Sequence, residues 1–248
     1  MTPRITMAVA WRVLTQLRHD PRTIGLLLAV PCVVLALLRW MFDSRRFEFD
    51  SLGPALVALI PFIVMFLVTS VTTLRERSSG TLERLLAMPT GKLDFLLGYG
   101  LAFGLAAAVQ SVILVALCVW GLGLTIGGPI WMLVVVAVAN SVLGTASGLF
   151  VSAFARTEFQ AVQFMPLVVV PQILLCGLFI ARNDLPDVLH AVSNVLPLSY
   201  AVDAMQGIAA GTPDGGIPSD VGWDLLVVVL FALVLLGLGA ATLRRRTA

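Results

Sequence analysis

The residues with the most chemistry to offer lie in the stretch Arg75-Glu76-Arg77-Ser78-Ser79-Gly80-Thr81-Leu82-Glu83-Arg84-Leu85-Leu86-Ala87-Met88-Pro89. Ser78, Ser79 and Gly80 can end one helix and cap the next, and Glu83 falls early in the new helix, where its charge suits the helix dipole. Leu82, Leu85 and Leu86, with Met88 beside them, then share one face at i, i+3, i+4 spacing. Pro89 and Gly91 stop the helix. A short helix with one apolar face and flanking charges is suited to recognition rather than catalysis. Two readings stay open: a helix resting on a lipid interface, or a helix inserted into a groove on a partner protein.

Other reactive groups are sparse. Asp184 and Asp187 form a close carboxylate pair, as acid–base work would need, but beside Pro186 their expected role is helix capping. Cys32, Cys118 and Cys176 sit in three different apolar runs with no Cys-x-x-Cys or Cys/His cluster, which supports neither a metal site nor a disulfide framework. No G-x-x-x-x-G-K-[ST] occurs, so this chain cannot hydrolyse ATP through a P-loop. No basic patch with interleaved aromatics points to nucleic acid. The polar residues inside apolar runs are Gln110 and Ser111, then Asn140, Ser141, Thr145, Ser147 and Ser152. Such groups avoid lipid and face the interior of a helix bundle. Asn140, Gly144, Gly148 and Ser152 also recur every four residues, as Gly100, Gly104 and Ala108 do, a spacing that lets helices approach closely. Close packing and the lining of a translocation path are both open for Gln110, Asn140, Thr145, Ser147 and Ser152, and one stripe can serve both. Without an acid or base in these runs, an ion-coupled relay has little to work with.

The elements that must position these residues follow from composition. Of 248 residues, 59% are hydrophobic and only 12% charged, about half the charge of a water-soluble domain. A membrane crossing takes roughly 20 apolar residues as a helix. Six spans are expected, at residues 23–42, 52–74, 95–120, 130–154, 164–180 and 223–243, all within a single membrane domain covering 1–248. The uncharged run 95–155 is too long for one span and divides at the turn-rich segment 121–129. Pro166 and Pro171 should kink the fifth span. Before the first span, residues 3–20 gather Met7, Val9, Ala10, Val13, Leu14 and Leu17 on one helical side and Arg4, Arg12, Gln16 and Arg18 on the other. That pattern suits an interfacial helix stopping before Pro21, the alternative being a frayed basic tail. These first residues lack the continuous apolar core of a cleavable signal peptide. Counted loop by loop, twelve Lys/Arg fall on the side of the N-terminus and four on the other, so both termini are expected to be cytoplasmic.

The stretch Glu76 to Pro89 resembles the cytoplasmic-loop signature of ABC-2 type permeases, the membrane subunits of ATP-driven exporters, and most resembles the daunorubicin-resistance branch. Leu196-Pro197-Leu198-Ser199-Tyr200-Ala201-Val202-Asp203-Ala204-Met205 is a second, weaker match. The resemblance implies an all-α membrane protein of six transmembrane helices with an N-terminal interfacial helix, a cytoplasmic coupling helix and an external re-entrant helical hairpin over 185–209. It implies that Arg75, Glu76, Arg77, Gly80, Thr81, Leu82, Glu83, Leu85 and Leu86 couple to a separate ABC ATPase subunit. ATP and Mg would be bound by that ATPase, and no cofactor by this chain. A second permease, identical or homologous, would complete the path in a bacterial plasma (inner) membrane, exporting a drug, lipid or glycolipid. The competing classes are a secondary transporter or channel and a membrane-embedded lipid-modifying enzyme.

Overall fold

Helix α1, Pro3–Arg18, and helix α2, Pro21–Met41, meet at Asp20, which caps the second of them. The Asp20 carboxylate accepts the backbone N–H groups of Arg22 and Thr23, each at 3.2 Å, and the Thr23 hydroxyl at 2.7 Å. Led by the Thr23 hydroxyl, these bonds hold its carboxyl below the usual value. Pro21 follows at the first helical position, where a missing amide costs nothing. The computed structural model describes residues 3–78, 92–213 and 216–242 of the chain, and among these it contains helices and loops but no strand. The segment 79–91, where a coupling helix is expected, lies outside the described residues.

Helix α3, Arg46–Ser78, has 33 residues, a length of about 50 Å at 1.5 Å per residue against a hydrocarbon core of about 30 Å. It therefore outreaches the expected span 52–74 at both ends and carries charge beyond the apolar run. Pro54 and Pro61 lie inside it. Helix α4, Lys92–Ala116, closes in a π turn, Leu117–Gly121. Helix α5 is Ile130–Ser152 and α6 is Glu158–Leu175. The fifth span was expected at 164–180, but α6 starts and ends earlier. The Thr157 hydroxyl accepts the Gln160 amide at 3.1 Å and starts the helix there. Gly177, at φ +90°, stops a continuation to 180. The helix runs through both Pro166 and Pro171. A 3-10 turn, Arg182–Asp184, leads to the short α7, Asp187–Ser193, then α8, Pro197–Ala210, and α9, Val221–Thr242. The expected hairpin at 185–209 thus corresponds to α7 and α8.

Six of these helices are long and apolar enough to cross a membrane: α2, α3, α4 with its π turn, α5, α6 and α9. Their outer faces carry exposed Val30, Leu37, Leu101, Leu105, Leu167, Val229 and Leu233. Apolar surface of that extent is untenable in water and suits lipid.

The core is centred on α3 and α5. A Cβ on Gly144 would lie 2.4 Å from the Phe62 carbonyl oxygen, and one on Gly148 would lie 2.5 Å from that of Phe66. Glycine here brings backbone against backbone. Phe62, Phe66, Leu133, Val136 and Leu143 are fully buried around the contact. The second glycine stripe is different: the nearest atoms to a Cβ on Gly100 or Gly104 are 3.8 Å away, an ordinary contact. Helix α1 packs part of its apolar side against the bundle. Val9, Ala10 and Val13 of its apolar side are buried, in one cluster with Tyr99, Ala102 and Phe103 of α4. Gly98 lets α1 come close there, since its Cβ would lie 2.7 Å from the Val9 Cβ. Trp11, at 73% exposure, and Met7 remain outside the contact.

The two stripes should therefore respond differently to a methyl group. Gly144→Ala is expected to destabilise the protein by about 1–3 kcal/mol, the usual cost of overpacking against atoms that cannot retreat. Gly104→Ala should be close to neutral. Thermal unfolding of the detergent-solubilised variants, followed by loss of monodisperse elution, reads the difference; equal melting of the two would contradict the packing.

Candidate functional site

At the end of the bundle from which segment 79–91 departs, α3 carries Arg75 and Glu76. Arg75 forks onto Glu158 at the start of α6, with Nε donating to Oε1 at 3.1 Å and Nη2 to Oε2 at 3.2 Å. Glu76 faces α1, where Arg12 Nη2 lies 3.8 Å from its Oε1. Two adjacent charges on α3 thus hold two different helices beside the departing segment. The Arg75 pair is 64% and 47% exposed, so it orients more than it stabilises, contributing well under about 1 kcal/mol. Arg77 belongs to the last turn of α3. Gly80, Thr81, Leu82, Glu83, Leu85 and Leu86 lie outside the described residues.

The polar residues expected to pack helices or line a path are all buried between helices. Gln110 Nε2 donates to the Leu27 carbonyl at 2.8 Å and so joins α4 to α2. Asn140 Nδ2 donates to the Ala58 carbonyl at 2.8 Å and so joins α5 to α3. The Ser111 and Ser141 hydroxyls lie 2.8 Å apart across α4 and α5. Thr145, Ser147 and Ser152 return their hydroxyls to the carbonyls of Ser141, Leu143 and Leu149 in their own helix. The Gln110 and Asn140 bonds and the Ser111–Ser141 contact thus join helices, whereas those of Thr145, Ser147 and Ser152 stay within α5. The Gln110 Oε1 and Asn140 Oδ1 atoms are buried without a hydrogen-bond partner.

The opposite end holds a cluster that sequence reasoning did not assemble. Arg182 reaches from the 3-10 turn to three elements at once: Nη1 donates to Asp203 on α8, Nη2 to Asn194 after α7, and Nε to the Ser193 hydroxyl at 3.1 Å. Its guanidinium carbon sits 5.0 Å from the centre of the Tyr200 ring, and the Tyr200 hydroxyl donates to the Asn194 carbonyl at 2.7 Å. A planar five-donor fork suits such a junction better than an ammonium would. Burial pushes the Asp203 carboxyl above the usual carboxylate value, while the neighbouring Arg182 charge pulls it back in part. Gly177 makes room, since its Cβ would lie 3.4 Å from the Arg182 side chain. Asp203 stood in the sequence only within the weaker motif 196–205, and nothing there paired it or Asn194 with Arg182. The capping role expected for Asp184 and Asp187 is corrected: Pro186 occupies the N-cap of α7 with no side-chain cap bond. Asp187 instead lies in the first turn, where its charge suits the dipole.

Beside this cluster a cavity of about 1080 Å³ opens among the start of α3, the segment after α6, and helices α7, α8 and α9. Its wall near α5 is closed by backbone: the Gly127 N–H donates to the Ala209 carbonyl at 2.8 Å. Gly211, at φ +72°, lies so close that its Cβ would be 2.6 Å from the Gly127 carbonyl carbon. Among the described residues no group of three or more His, Cys, Asp or Glu could hold a metal ion.

Residues 5–209 match the family described as ABC-2 type transporter. The chain is 29% identical over 187 residues to ABC transporter G family member 20 of Dictyostelium discoideum, an alignment covering 75% of this chain and 25% of that protein. It is 23% identical over 209 residues to the probable multidrug ABC transporter permease YbhS of Escherichia coli (strain K12), covering 84% of this chain and 55% of the relative. It is 31% identical over 176 residues to the inner membrane transport permease YhhJ of the same organism, covering 66% and 46%. The chain spans between a quarter and about half of the length of these curated relatives.

The two arginine clusters should differ in weight. Arg182→Ala removes a side chain only 11% exposed and is expected to cost about 2 kcal/mol, less than a fully buried pair would because the Asp203 side chain is 36% exposed. Arg75→Ala should change stability by less than about 1 kcal/mol. Thermal melts of the two variants check this, and a larger loss for Arg75→Ala would reverse the assignment.

Proposed function

Because this chain belongs to the ABC-2 type transporter family, a multi-pass membrane family of the permease type, we propose that it is the membrane-spanning subunit of an ATP-binding-cassette exporter. In this reading it moves a hydrophobic or amphipathic substrate (drug, lipid or glycolipid) outward across a bacterial plasma membrane, driven by a separate ATPase subunit that binds ATP and Mg. A second permease, identical or homologous, completes the path. The likeness to a probable multidrug ABC transporter permease and the loop motif together favour the daunorubicin-resistance-like branch.

The observation that carries this reading is the anchoring of Arg75 and Glu76 on two separate helices at the mouth of segment 79–91. In the proposed mechanism that segment is the coupling helix. Leu82, Leu85 and Leu86 fill a groove on the ATPase, and Ser78, Ser79 and Gly80 cap the helix that presents them. A push on the segment is passed through Arg75 to α6 and through Glu76 to α1. Helix α1 then lies along the cytoplasmic leaflet with Trp11 at the headgroups, and α7 with α8 re-enters from outside. Gln110 and Asn140 tie neighbouring helices together, with Thr145, Ser147 and Ser152 buried along the same helix as Asn140; the oxygens of Gln110 and Asn140 that lack partners among the described residues are the polar atoms a rearranged path would find first.

Two measurements test it. Leu86→Asp places a carboxylate in the proposed groove, and charging a central interface anchor typically costs ~2 kcal/mol or more, more than tenfold in affinity. The variant should insert and fold yet lose ATPase co-purification and export together, whereas full retention of both would refute the coupling role. For orientation, single cysteines at Ser79 and Thr247 in a Cys-free background should be shielded from an impermeant thiol reagent on intact cells. Cysteines at Ser44 and Ser219 should react. Labelling at position 79 from outside would invert the topology.

A further inference from the structure

The cavity beside Arg182 has a charge imbalance that the fold itself does not resolve. Asp50, Asp203, Asp220 and Asp224 line it, against the cationic or titratable Arg182 and His190. Three of the four carboxylates have partners: Asp203 takes the Arg182 guanidinium, Asp50 accepts the Thr125 amide at 3.1 Å, and Asp220 accepts the Ser219 hydroxyl at 2.9 Å. Asp224 is the exception. It is 8% exposed, it stands in the first turn of α9 facing the cavity, and its carboxylate forms no hydrogen bond or ion pair with any described residue. The little surface that Asp224 exposes opens into the cavity, so its charge is offered to whatever fills that space.

The chemistry of that counter-charge can be narrowed. A bare metal ion is a poor fit, because no three potential ligands converge among the described residues. The space, about 1080 Å³, is that of a pocket for a drug-sized molecule, of which typical ones measure about 300–1,000 Å³. Leu178 and Phe179 add apolar surface beside the carboxylates. An occupant with a positive head and an apolar body satisfies both kinds of wall.

We propose that this cavity is a binding site for an amphipathic organic cation, with Asp224 as the counter-ion of its cationic head. Arg182 offsets Asp203 alone, and the neutral donors on Asp50 and Asp220 cancel no charge, so the cavity is net negative; Asp224 is the one of these carboxylates without a partner among the described residues, and Gln206 offers a neutral hydrogen-bonding wall. The site names a substrate class for the exporter reading and rests on that reading for its physiological meaning, while the binding itself needs no ATPase.

The test uses the full chain in lipid nanodiscs without any ATPase, with the fluorescent cation rhodamine 6G as probe and uncharged Nile red as control. Fluorescence anisotropy should show saturable rhodamine 6G binding, and Asp224→Asn should weaken it about tenfold or more, as loss of a buried charge partner does. Asp224→Glu should restore it, Nile red should be unaffected throughout, and millimolar sodium or calcium should not displace the dye. If Asp224→Asn does not fold to a monodisperse protein, Gln206→Glu serves instead: a second carboxylate in the cavity should tighten the dye several-fold. No saturable binding by the parent protein, unchanged affinity in Asp224→Asn or in Gln206→Glu, or displacement by the inorganic cations overturns the proposal. None of these results bears on ATPase association, which the Leu86→Asp variant reads separately.

Discussion

The whole arrangement depends on the absence of side chains at Gly144 and Gly148. There α5 lies against the carbonyls of Phe62 and Phe66 with nothing between the two backbones, and the Asn140 bond to the Ala58 carbonyl fixes how far one helix can slide past the other. In lipid, burial of apolar surface gives helices no reason to prefer one another to the acyl chains, so close approach and a few internal hydrogen bonds carry the association. With α5 locked on its side, α3 becomes a strut of fixed height. One end presents Arg75 and Glu76 to α6 and α1, and the other brings Phe47 and Asp50 to the cavity wall.

Helix α6 has a different relation to the bundle. Much of its surface is exposed, with Phe159, Leu167, Val170 and Leu174 pointing outward. It is held by charge near both termini: Glu158 on Arg75 at its start, and Arg182, a few residues beyond its end, on Asp203. The charged contacts at its two ends connect it to the loop-bearing end of the molecule and to the cavity.

Much of this could be read before any coordinates, because hydropathy in a membrane chain is a coarse and strong signal. The six apolar runs became six long helices, and the split of the uncharged run 95–155 fell at the glycine-rich segment where the chain does leave the helix. The Asn140/Gly144/Gly148/Ser152 stripe foretold a real contact, while the equally regular Gly100/Gly104 stripe met only ordinary neighbours, since spacing says nothing about what stands opposite. Boundaries failed where one residue overrode the apolar pattern: Thr157 started α6 early and Gly177 stopped it. The Arg182 cluster was illegible, because it joins a turn, a helix end and a separate helix, and such pairings leave no periodic trace. Gln110, Asn140, Thr145, Ser147 and Ser152 are buried, as polar groups in apolar runs should be, yet sequence could not say which carbonyls they reach. For the loop face of Leu82, Leu85 and Leu86, sequence remains the whole argument.

The π turn at the end of α4 has a further consequence. Its wide bond, Leu122 N–H to Leu117 carbonyl at 2.8 Å, is what an α-helix shows when it has absorbed a single inserted residue. Inserting one more residue between Leu117 and Gly121 would find a turn already widened and without slack, and would rotate everything after it by about 100°. The Leu122 carbonyl would then swing away from Arg39 Nε, now 3.1 Å distant, and the Gly127 amide from Ala209. Length at this corner is therefore restrained by two bonds from its backbone to residues far away in sequence, Arg39 and Ala209, in a stretch whose own side chains betray nothing of the limit.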